Sequence, residues 1–450
     1  MREQRVILEP FELLDILQCT GMVAANTHGY MAIKGHIGKE KEEGYLKLLS
    51  GDVWATVKLC DEDGKVSTLY TGIVTESEIE VDNGLKTLEI VIKTGSFLMD
   101  IKKHIRSFQK KSYPYREMLK SFADSYQNYE FIMQKGREES ANTFLCQYKE
   151  TDWEFAKRIA MLCSTVLYPN YIGSGEKYYF GMPVGQNRGK IDLTEYVLKQ
   201  TQKGVIFEGI IRDVFDIGDI VNFLGKDLYV ISRKTEYKQN ELYHTYEFSE
   251  EEKGTNESIY NDNIIGVSLD ATVTGVSGTD VTISISADEN KMFSGSRRFP
   301  YATIYSSPDG SGWYCMPEEG DNVRLYFPSN EENEAYVACS LHMTSEDNNQ
   351  RVNPNHKSIM NKQGKEILLK PDSILITNNN GMSLELSDNK GISIISDKKI
   401  RFESKEAIEI TSTNENVDLV SSQKISLEQG STAMTLSDNL VVRGTKVRLD

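Results

Sequence analysis

The chain has 450 residues, 39 % of them hydrophobic, and a formal net charge of -16 at pH 7. This length predicts about three or four domains, and the acidic balance argues against a nucleic-acid partner because phosphate binding needs clustered Lys and Arg. No apolar run approaches the ~20 residues of a membrane-spanning helix, and the opening residues MREQRVILEP lack the apolar stretch of a signal peptide. We therefore expect the protein to fold in the cytoplasm, with any export using another route.

The first hundred residues predict a set of strands separated by turns. Segments 30–37, 53–60, 69–80 and 85–93 are rich in Val, Ile, Thr and Tyr. The segments Asp-Glu-Asp-Gly at 61–64 and Asp-Asn-Gly at 82–84 are suited to hairpin turns, since Asp, Asn and Gly tolerate positive φ. This region is therefore expected to be a β-rich domain.

Two helices are predicted next. In the first, Tyr115, Met118, Leu119 and Phe122 fall on one face, and Pro114 suits the first turn. The second begins with a capping box, in which Thr151 and Glu154 occupy the T-x-x-E positions before an apolar face at helical spacing. Strands return over about 204–248, so the helices are flanked by β-structure on both sides.

The rest of the chain divides into three parts by composition. Polar, uncored residues at 251–263 and 344–358 predict linkers on either side of a compact β-rich block at 264–343. From 359 to 450, pairs of apolar residues two apart recur about every eight or nine residues, with Ser, Asn, Asp and Gly between them. The pairs are Ile374/Ile376, Leu384/Leu386, Ile392/Ile394, Ile400/Phe402, Ile408/Ile410, Val417/Leu419, Ile425/Leu427, Met434/Leu436 and Val447/Leu449.

Alternation within each pair places both apolar side chains on one face of a short strand. A lone strand cannot bury that face, whereas three identical chains winding around one another would bury it in a shared core and cover each strand edge. An adhesin stalk or a single-chain solenoid fits the repeat equally well. On the trimeric reading, the pairs from Ile374 to Leu436 form the core of a needle.

Three upstream stretches carry motifs of one known family. Residues 95–119, GSFLMDIKKHIRSFQKKSYPYREML, end a strand in Ser, place an Asp in a short helix and continue with Arg-Ser-Phe-Gln. Residues 144–160 contain Gln147, Tyr148, Glu150, Asp152, Phe155 and Arg158 in the spacing Gln-Tyr-x-Glu-Ser-Asp-x-x-Phe-x-x-Arg, with Thr151 in place of the Ser. Residues 312–327 contain Trp, Met-Pro-Glu and Gly-Asp-x-Val. In this order the stretches resemble VgrG proteins and the hub and spike proteins of contractile-tailed phages (late control protein D-like).

The resemblance implies a mainly β fold with three parts in a homotrimer. Residues 1–250 would be a tail-hub domain with two β-barrels and short helices, and 264–343 a small barrel of the oligonucleotide/oligosaccharide-binding type acting as a collar. Residues 359–450 would be an intertwined triple-stranded β-helix. The implied partners are two further copies of the chain, the tail tube and baseplate, and a tip protein of the PAAR type or an effector. The particle would be a phage tail, a tailocin or a type VI-like machine that punctures a target envelope.

Groups able to carry chemistry are better explained by structure. Asp152 and Glu154 lie in the first turn of a predicted helix, where carboxylates favour the cap and the dipole. Glu318, Glu319 and Asp321 near Trp313 are typical of a turn and do not indicate a glycosidase cleft. The cysteines form no CxxC pair and the histidines no HxH or HExxH motif, so we expect free thiols and no metal or cofactor. The six cysteines are Cys19, Cys60, Cys146, Cys163, Cys315 and Cys339, and the six histidines are His28, His36, His104, His244, His342 and His356.

The favoured function is a structural spike that needs rigidity and no active site. Two alternatives stay open at the level of sequence: a receptor-binding tail fibre or adhesin, which would not need the hub motifs, and a spike that cleaves glycans. The sequence after His356 contains no further histidine and keeps the repeat to its last residues. We therefore expect the needle to end bluntly and a tip protein to dock on Val447, Arg448, Leu449 and Asp450.

Overall fold

Strands far outnumber helices in the computed structural model, which describes residues 5–60, 64–201, 204–251, 260–341, 353–436, 440–443 and 445–446. The mainly β fold class is therefore confirmed. The chain divides into two compact units, Met1–Met343 and Thr344–Asp450. No helix within the described ranges is long and apolar enough to cross a bilayer.

The first block of the chain contains six strands and one helix, α1 (Glu42–Leu49). The strands are β1 (Arg5–Glu9), β2 (Gln18–Ala24), β3 (Tyr30–Ile37), β4 (Trp54–Cys60), β5 (Val66–Asp82) and β6 (Leu85–Lys93). All four predicted strands are present. The predicted turn between β5 and β6 has φ +48° at Asn83 and +80° at Gly84, which explains the Asn-Gly pair. Residues 61–63 of the other predicted turn lie outside the described residues.

A middle block carries short strands and the two predicted helices, α2 (Tyr115–Lys120) and α3 (Asp152–Leu162). Its strands are β7 (Lys103–Phe108), β8 (Tyr113–Pro114), β9 (Glu130–Met133), β10 (Ser140–Ala141), β11 (Leu145–Thr151), β12 (Leu167–Pro169) and β13 (Lys177–Phe180). Single 3₁₀ turns span Gly95–Asp100 and Ala123–Ser125. Both sides of the predicted capping box are formed at the start of α3, so that prediction is confirmed.

The third block returns to strands and joins the first. It contains β14 (Asn187–Lys190), β15 (Tyr196–Thr201), β16 (Gly204–Ile211), β17 (Ile220–Phe223), β18 (Lys226–Lys238) and β19 (Glu241–Ser249). Because β2 pairs with β18, the two blocks share one twelve-stranded sheet with the order β1-β4-β5-β6-β3-β2-β18-β19-β16-β15, in which β17 and β14 branch from β18. Apolar residues from both blocks fill one core, so the two strand-rich halves that the resemblance assigns to two barrels are packed together.

A small five-stranded barrel follows within the same unit. Its strands are β20 (Ser268–Ser277), β21 (Asp280–Ile285), β22 (Arg298–Pro300), β23 (Asn322–Tyr326) and β24 (Tyr336–Ser340), in the order β22-β21-β20-β23-β24. A bridge between Tyr301 and Val337 brings the two edges of this sheet together. Three 3₁₀ turns span Asp262–Ile264, Lys291–Phe293 and Glu332–Glu334. The sheet therefore closes on itself around its own apolar core.

The second unit contains antiparallel strands in sequence order. They are β25 (Lys357–Met360), β26 (Glu366–Leu369), β27 (Ser373–Thr377), β28 (Met382–Ser387), β29 (Gly391–Ser396), β30 (Ile425–Gln429), β31 (Thr432–Leu436) and β32 (Leu440–Arg443). Each strand pairs with the next within β25–β29 and within β30–β32. Residues 397–424 form no strand in the single chain. The intertwined β-helix and the domain boundaries given above stay predictions.

Candidate functional site: the hub–barrel junction and the repeat face

The two hub motifs meet in one buried cluster. Strand β7 pairs with β11 so that Arg106 lies directly opposite Gln147. The Arg106 guanidinium donates to the Gln147 side-chain oxygen over 3.1 Å and forms an ion pair with Asp152. The Gln147 amide donates to the same Asp152 carboxylate over 2.9 Å, and the Tyr126 hydroxyl donates to its other oxygen over 2.8 Å. Two motif residues, together with Tyr126, therefore pair both oxygens of a fully buried carboxylate, as a buried charge requires.

A second set of contacts fastens the small barrel to the middle block. Arg158 on α3 forms ion pairs with Glu150 and, across the junction, with Glu332 of the barrel, both over 2.7 Å. The Arg158 guanidinium also donates to the Cys146 carbonyl over 3.0 Å. All three charged side chains are less than 10 % exposed, so the pairing takes place away from bulk water. Burial raises the pKa of Glu150 to about 7, because the carboxylate is desolvated and has Glu332 nearby, although Arg158 opposes that rise.

Further contacts with the barrel come from strand β7. The backbone N–H of Ser107 donates to Asp288 over 2.9 Å, and the Asn290 amide donates to the Ser107 carbonyl over 3.0 Å. The imidazole of His104 lies 2.7 Å from Glu289. We define the hub–barrel junction by Ser107 and Arg158 on one side and Asp288, Glu289 and Glu332 on the other. The Arg-Ser-Phe-Gln and Gln-Tyr-x-Glu motifs thus hold a domain contact together.

Three of the carboxylates weighed as catalytic groups, those of Asp152, Glu154 and Asp321, have structural partners. Asp152 belongs to the buried cluster, and the Glu154 carboxylate accepts the Thr151 backbone N–H over 2.8 Å in the capping box. Glu318 and Asp321 form a turn, in which the Glu318 N–H donates to the Asp321 carboxylate over 2.8 Å. Trp313 beside them is about half exposed. Among the residues that the structure describes, no group of three or more His, Cys, Asp and Glu side chains is placed to hold a metal ion.

The repeat places its apolar pairs in two columns on one face of the second unit. Strand register aligns Ile367, Ile376, Leu384 and Ile394 in one column and Leu369, Ile374, Leu386 and Ile392 in the other. We call these eight residues the repeat face. Ile392 is 71 % exposed and Ile394 51 %, and most of the others are also exposed in the single chain. A single sheet layer leaves this face without cover.

The remaining predicted needle residues lie further along. Ile400, Phe402, Ile408, Ile410, Val417 and Leu419 fall in the segment without strands, and all six are exposed. Ile425 pairs with Leu436, and Leu427 with Met434, in the sheet β30–β32. The proposed tip residues Val447, Arg448, Leu449 and Asp450 lie outside the described residues. The repeat in the sequence predicted that the apolar pairs share one face. No sequence signal pointed to the junction acids Asp288 and Glu332, which lie far from the hub motifs in the chain.

Comparison with known proteins identifies solved structures with a similar fold. No protein-family model matches the sequence, and no curated protein matches it. The E. coli c3393 protein, a component of the type VI secretion system with structural similarity to the T4 bacteriophage tail proteins gp27 and gp5, aligns at 11 % identity and a TM-score of 0.51, over 75 % of this chain and 100 % of its own. A chain of the half-lidded Francisella PdpA-VgrG complex aligns at 11 % identity and a TM-score of 0.54, over 88 % of each chain. The lidless form of that complex gives the same identity and TM-score over 88 % of this chain and 98 % of its own. The resemblance to VgrG and phage tail hub proteins is therefore confirmed at the level of the fold, which this chain shares with these type VI secretion structures.

Proposed function

We propose that this chain is the structural spike of a contractile injection system or phage tail. In this role three copies form a hub that adapts a tail tube to a rigid, membrane-piercing needle. The hub (1–250) and the small-barrel collar (264–343) lie in the first unit, and the needle corresponds to the repeat. The force comes from the contracting machine, so the spike contributes stiffness and shape rather than chemistry.

The repeat face carries this proposal. Its eight large apolar side chains form a continuous patch of the kind that soluble monomers rarely expose. Burying each such side chain stabilises an assembly by roughly 1.5–3 kcal/mol. The columns contain no charged residue, so identical copies can cover one another along the whole length. A homotrimer in which each chain supplies one side of a prism buries all three faces together.

The partners follow from this architecture. The tail tube and baseplate would contact the hub, and a PAAR-like tip or an effector would be carried on the needle. The VgrG in the similar Francisella structures is in complex with PdpA, which supports a protein partner for this chain as well. The spike would assemble in the cytoplasm, become part of the particle, and pass through the target-cell envelope on firing.

A non-enzymatic role agrees with the buried acids of the hub. Asp152 is neutralised by Arg106, and Glu150 and Glu332 share Arg158, so these carboxylates hold the hub–barrel junction. A peptidoglycan-clearing assay on the purified protein tests this part of the proposal, and clearance above a buffer control contradicts it.

The oligomeric state is the central test. Light scattering of the soluble full-length chain should give about 153 kDa, which is 3 × 51.0 kDa. Electron micrographs of the same sample should show a compact head with a thin rod. A stable particle of one chain mass, with no rod, contradicts the spike.

A further inference from the structure

A groove on the first unit lies along an open strand edge. Strand β9 is the last strand of the sheet β12-β13-β9, and it pairs in parallel with β13 alone among the described strands. Between β9 and helix α2 runs an open groove of about 560 Å³. Its walls carry Tyr129, Phe131 and Ile132, and its rim carries Arg116, Lys120 and Arg137.

The backbone along this edge has free hydrogen-bonding groups. The N–H of Glu130 donates to the Glu176 carbonyl over 3.2 Å, and the N–H of Gln134 donates to the Phe180 carbonyl over 2.8 Å. Because alternate residues of a strand turn their N–H and C=O groups to opposite sides, Phe131 and Met133 direct theirs away from β13. Arg137 donates to the Met133 carbonyl over 2.6 Å, and among the described residues the Phe131 groups and the Met133 N–H have no partner. Such an edge is a template for a further strand.

The charged residues at the rim of the groove determine which peptide segments can pair with this strand edge. Arg116 and Arg137 are exposed, and neither has a carboxylate partner within the described ranges, whereas Lys120 pairs with Glu117 over 2.6 Å. Glu130, the acid of the strand itself, is paired with Lys177 over 3.0 Å. The groove is thus a local positive site on a chain of net charge -16. Half-buried Phe131 and exposed Ile132 add apolar contact for the side chains between the acids.

We propose that this groove binds an extended acidic peptide segment of a partner protein by β-strand addition to β9. Four residues of edge span about 13 Å, which is enough for a segment of four or five residues. Backbone pairing provides the affinity, and carboxylates on alternate positions meet Arg116 and Arg137. The proposal uses the first unit alone and does not depend on trimerisation or on the spike function.

The test uses the full chain and a fluorescein-labelled hexapeptide of alternating glutamate and valine, followed by fluorescence anisotropy. A peptide of alternating lysine and valine should bind at least tenfold more weakly. N-methylation of the acidic peptide on alternate backbone nitrogens should lower its affinity at least fivefold, since the methylated peptide cannot pair with the edge. Arg116→Glu should weaken the unmodified acidic peptide at least fivefold, and the first turn of α2 accepts a carboxylate, so the fold is retained. Lys47→Glu on the exposed face of α1 is the matched control and should leave binding unchanged.

Four results would overturn the proposal. The first is no saturable binding of the acidic peptide. The second is binding that neither N-methylation nor Arg116→Glu weakens. A labelled single-stranded DNA that binds more tightly than the peptide would make the groove a nucleic-acid site, since aromatic and basic groups also favour that ligand. Crosslinks from a photoreactive group at Ile132 that reach only a second copy of the chain would assign the groove to self-association.

Discussion

Strands β3 and β29 show the same sequence pattern with opposite results. In β3, Met31, Ile33 and Ile37 alternate with partly exposed residues and are each at most 3 % exposed. In β29, Ile392 and Ile394 lie two apart on either side of Ser393 and are 71 % and 51 % exposed. The first strand packs against other parts of its own chain, whereas the second has no layer opposite it. Alternation therefore specifies a strand and its inner face, but it does not specify what covers that face.

The contrast extends over the two units. The first contains three apolar clusters, which fill the large sheet, the middle block and the small barrel. Within 353–436 and 445–446, only Ser373 is buried. An apolar face of this kind needs cover from outside its own sheet. The first unit thus has an apolar interior of its own, whereas the described part of the repeat has none within the single chain.

The largest expected effect comes from charging the repeat face. Ile392→Asp would place a carboxylate from each chain in the shared core, where an unpaired ion is strongly unfavourable. We expect loss of the trimer in light scattering. Ser393→Asp, on the opposite face of the same strand, is the matched control and should keep the trimer. If both variants stay trimeric, or both dissociate, the repeat face is not the trimer interface.

The next effect concerns the first unit only. Arg158→Met would leave Glu150 and Glu332 buried without their cation, and removal of one partner of a buried pair costs about 3–5 kcal/mol. Urea unfolding followed through the fluorescence of buried Trp153 should show this loss. Arg324→Met removes an exposed pair with Asp270 and should cost no more than about 1 kcal/mol. Equal losses of unfolding free energy in the two variants would show that the ion pairs of the hub–barrel junction contribute no more than the pair of Arg324 and Asp270.

Local signals account for the part of the fold that the sequence predicted well. Strands β3 and β6 have the predicted bounds, because their alternation is strict and turn residues flank them. The Asn83-Gly84 turn and the capping box of Thr151 and Glu154 each depend on residues within three positions. Such features are encoded where they occur, so one sequence is enough to find them.

The features that sequence reasoning missed depend on distant or weak signals. Helix α1 contains Gly44 and has no side-chain cap at its N-terminus, so its propensity and capping signals are weak. Its remaining helix markers are Glu42 and Glu43 in the first turn and Lys47 in the last. The hub–barrel junction joins Arg158 to Glu332 and Ser107 to Asp288, pairs separated by more than 170 residues. No spacing rule predicts such contacts. The repeat was found from its period, but that period did not reveal that 397–424 form no strand in the single chain.

A smaller effect should appear in the pH dependence of the first unit. The folded pKa of Glu150 is about 7, against an ordinary value of 4.5, so the folded state holds a proton that the unfolded state releases. This contribution to stability is fully present below about pH 4.5 and is lost as the pH rises through 7. The difference corresponds to at most ~3 kcal/mol. The free energy of unfolding, measured in urea, should therefore fall more between pH 5 and pH 8 for the wild type than for Glu150→Gln. Parallel pH profiles would show that Glu150 keeps an ordinary pKa.

The smallest effect tests whether damage inside the first unit leaves the repeat untouched. The Thr151 hydroxyl accepts the Glu154 N–H over 3.1 Å and also donates to Asp100, so Thr151→Ala removes a helix cap and a tertiary contact. A lost cap costs about 1 kcal/mol, and the bond to the partly exposed Asp100 carboxylate adds roughly the same. Thr151→Ser keeps the hydroxyl in place and should stay within about 0.5 kcal/mol of the wild type. Both variants should remain trimers in light scattering, because the repeat face is unchanged and the loss is confined to the start of α3. Dissociation of Thr151→Ala without dissociation of Thr151→Ser would show instead that trimerisation depends on the order of the hub, and would remove the repeat face as its main source.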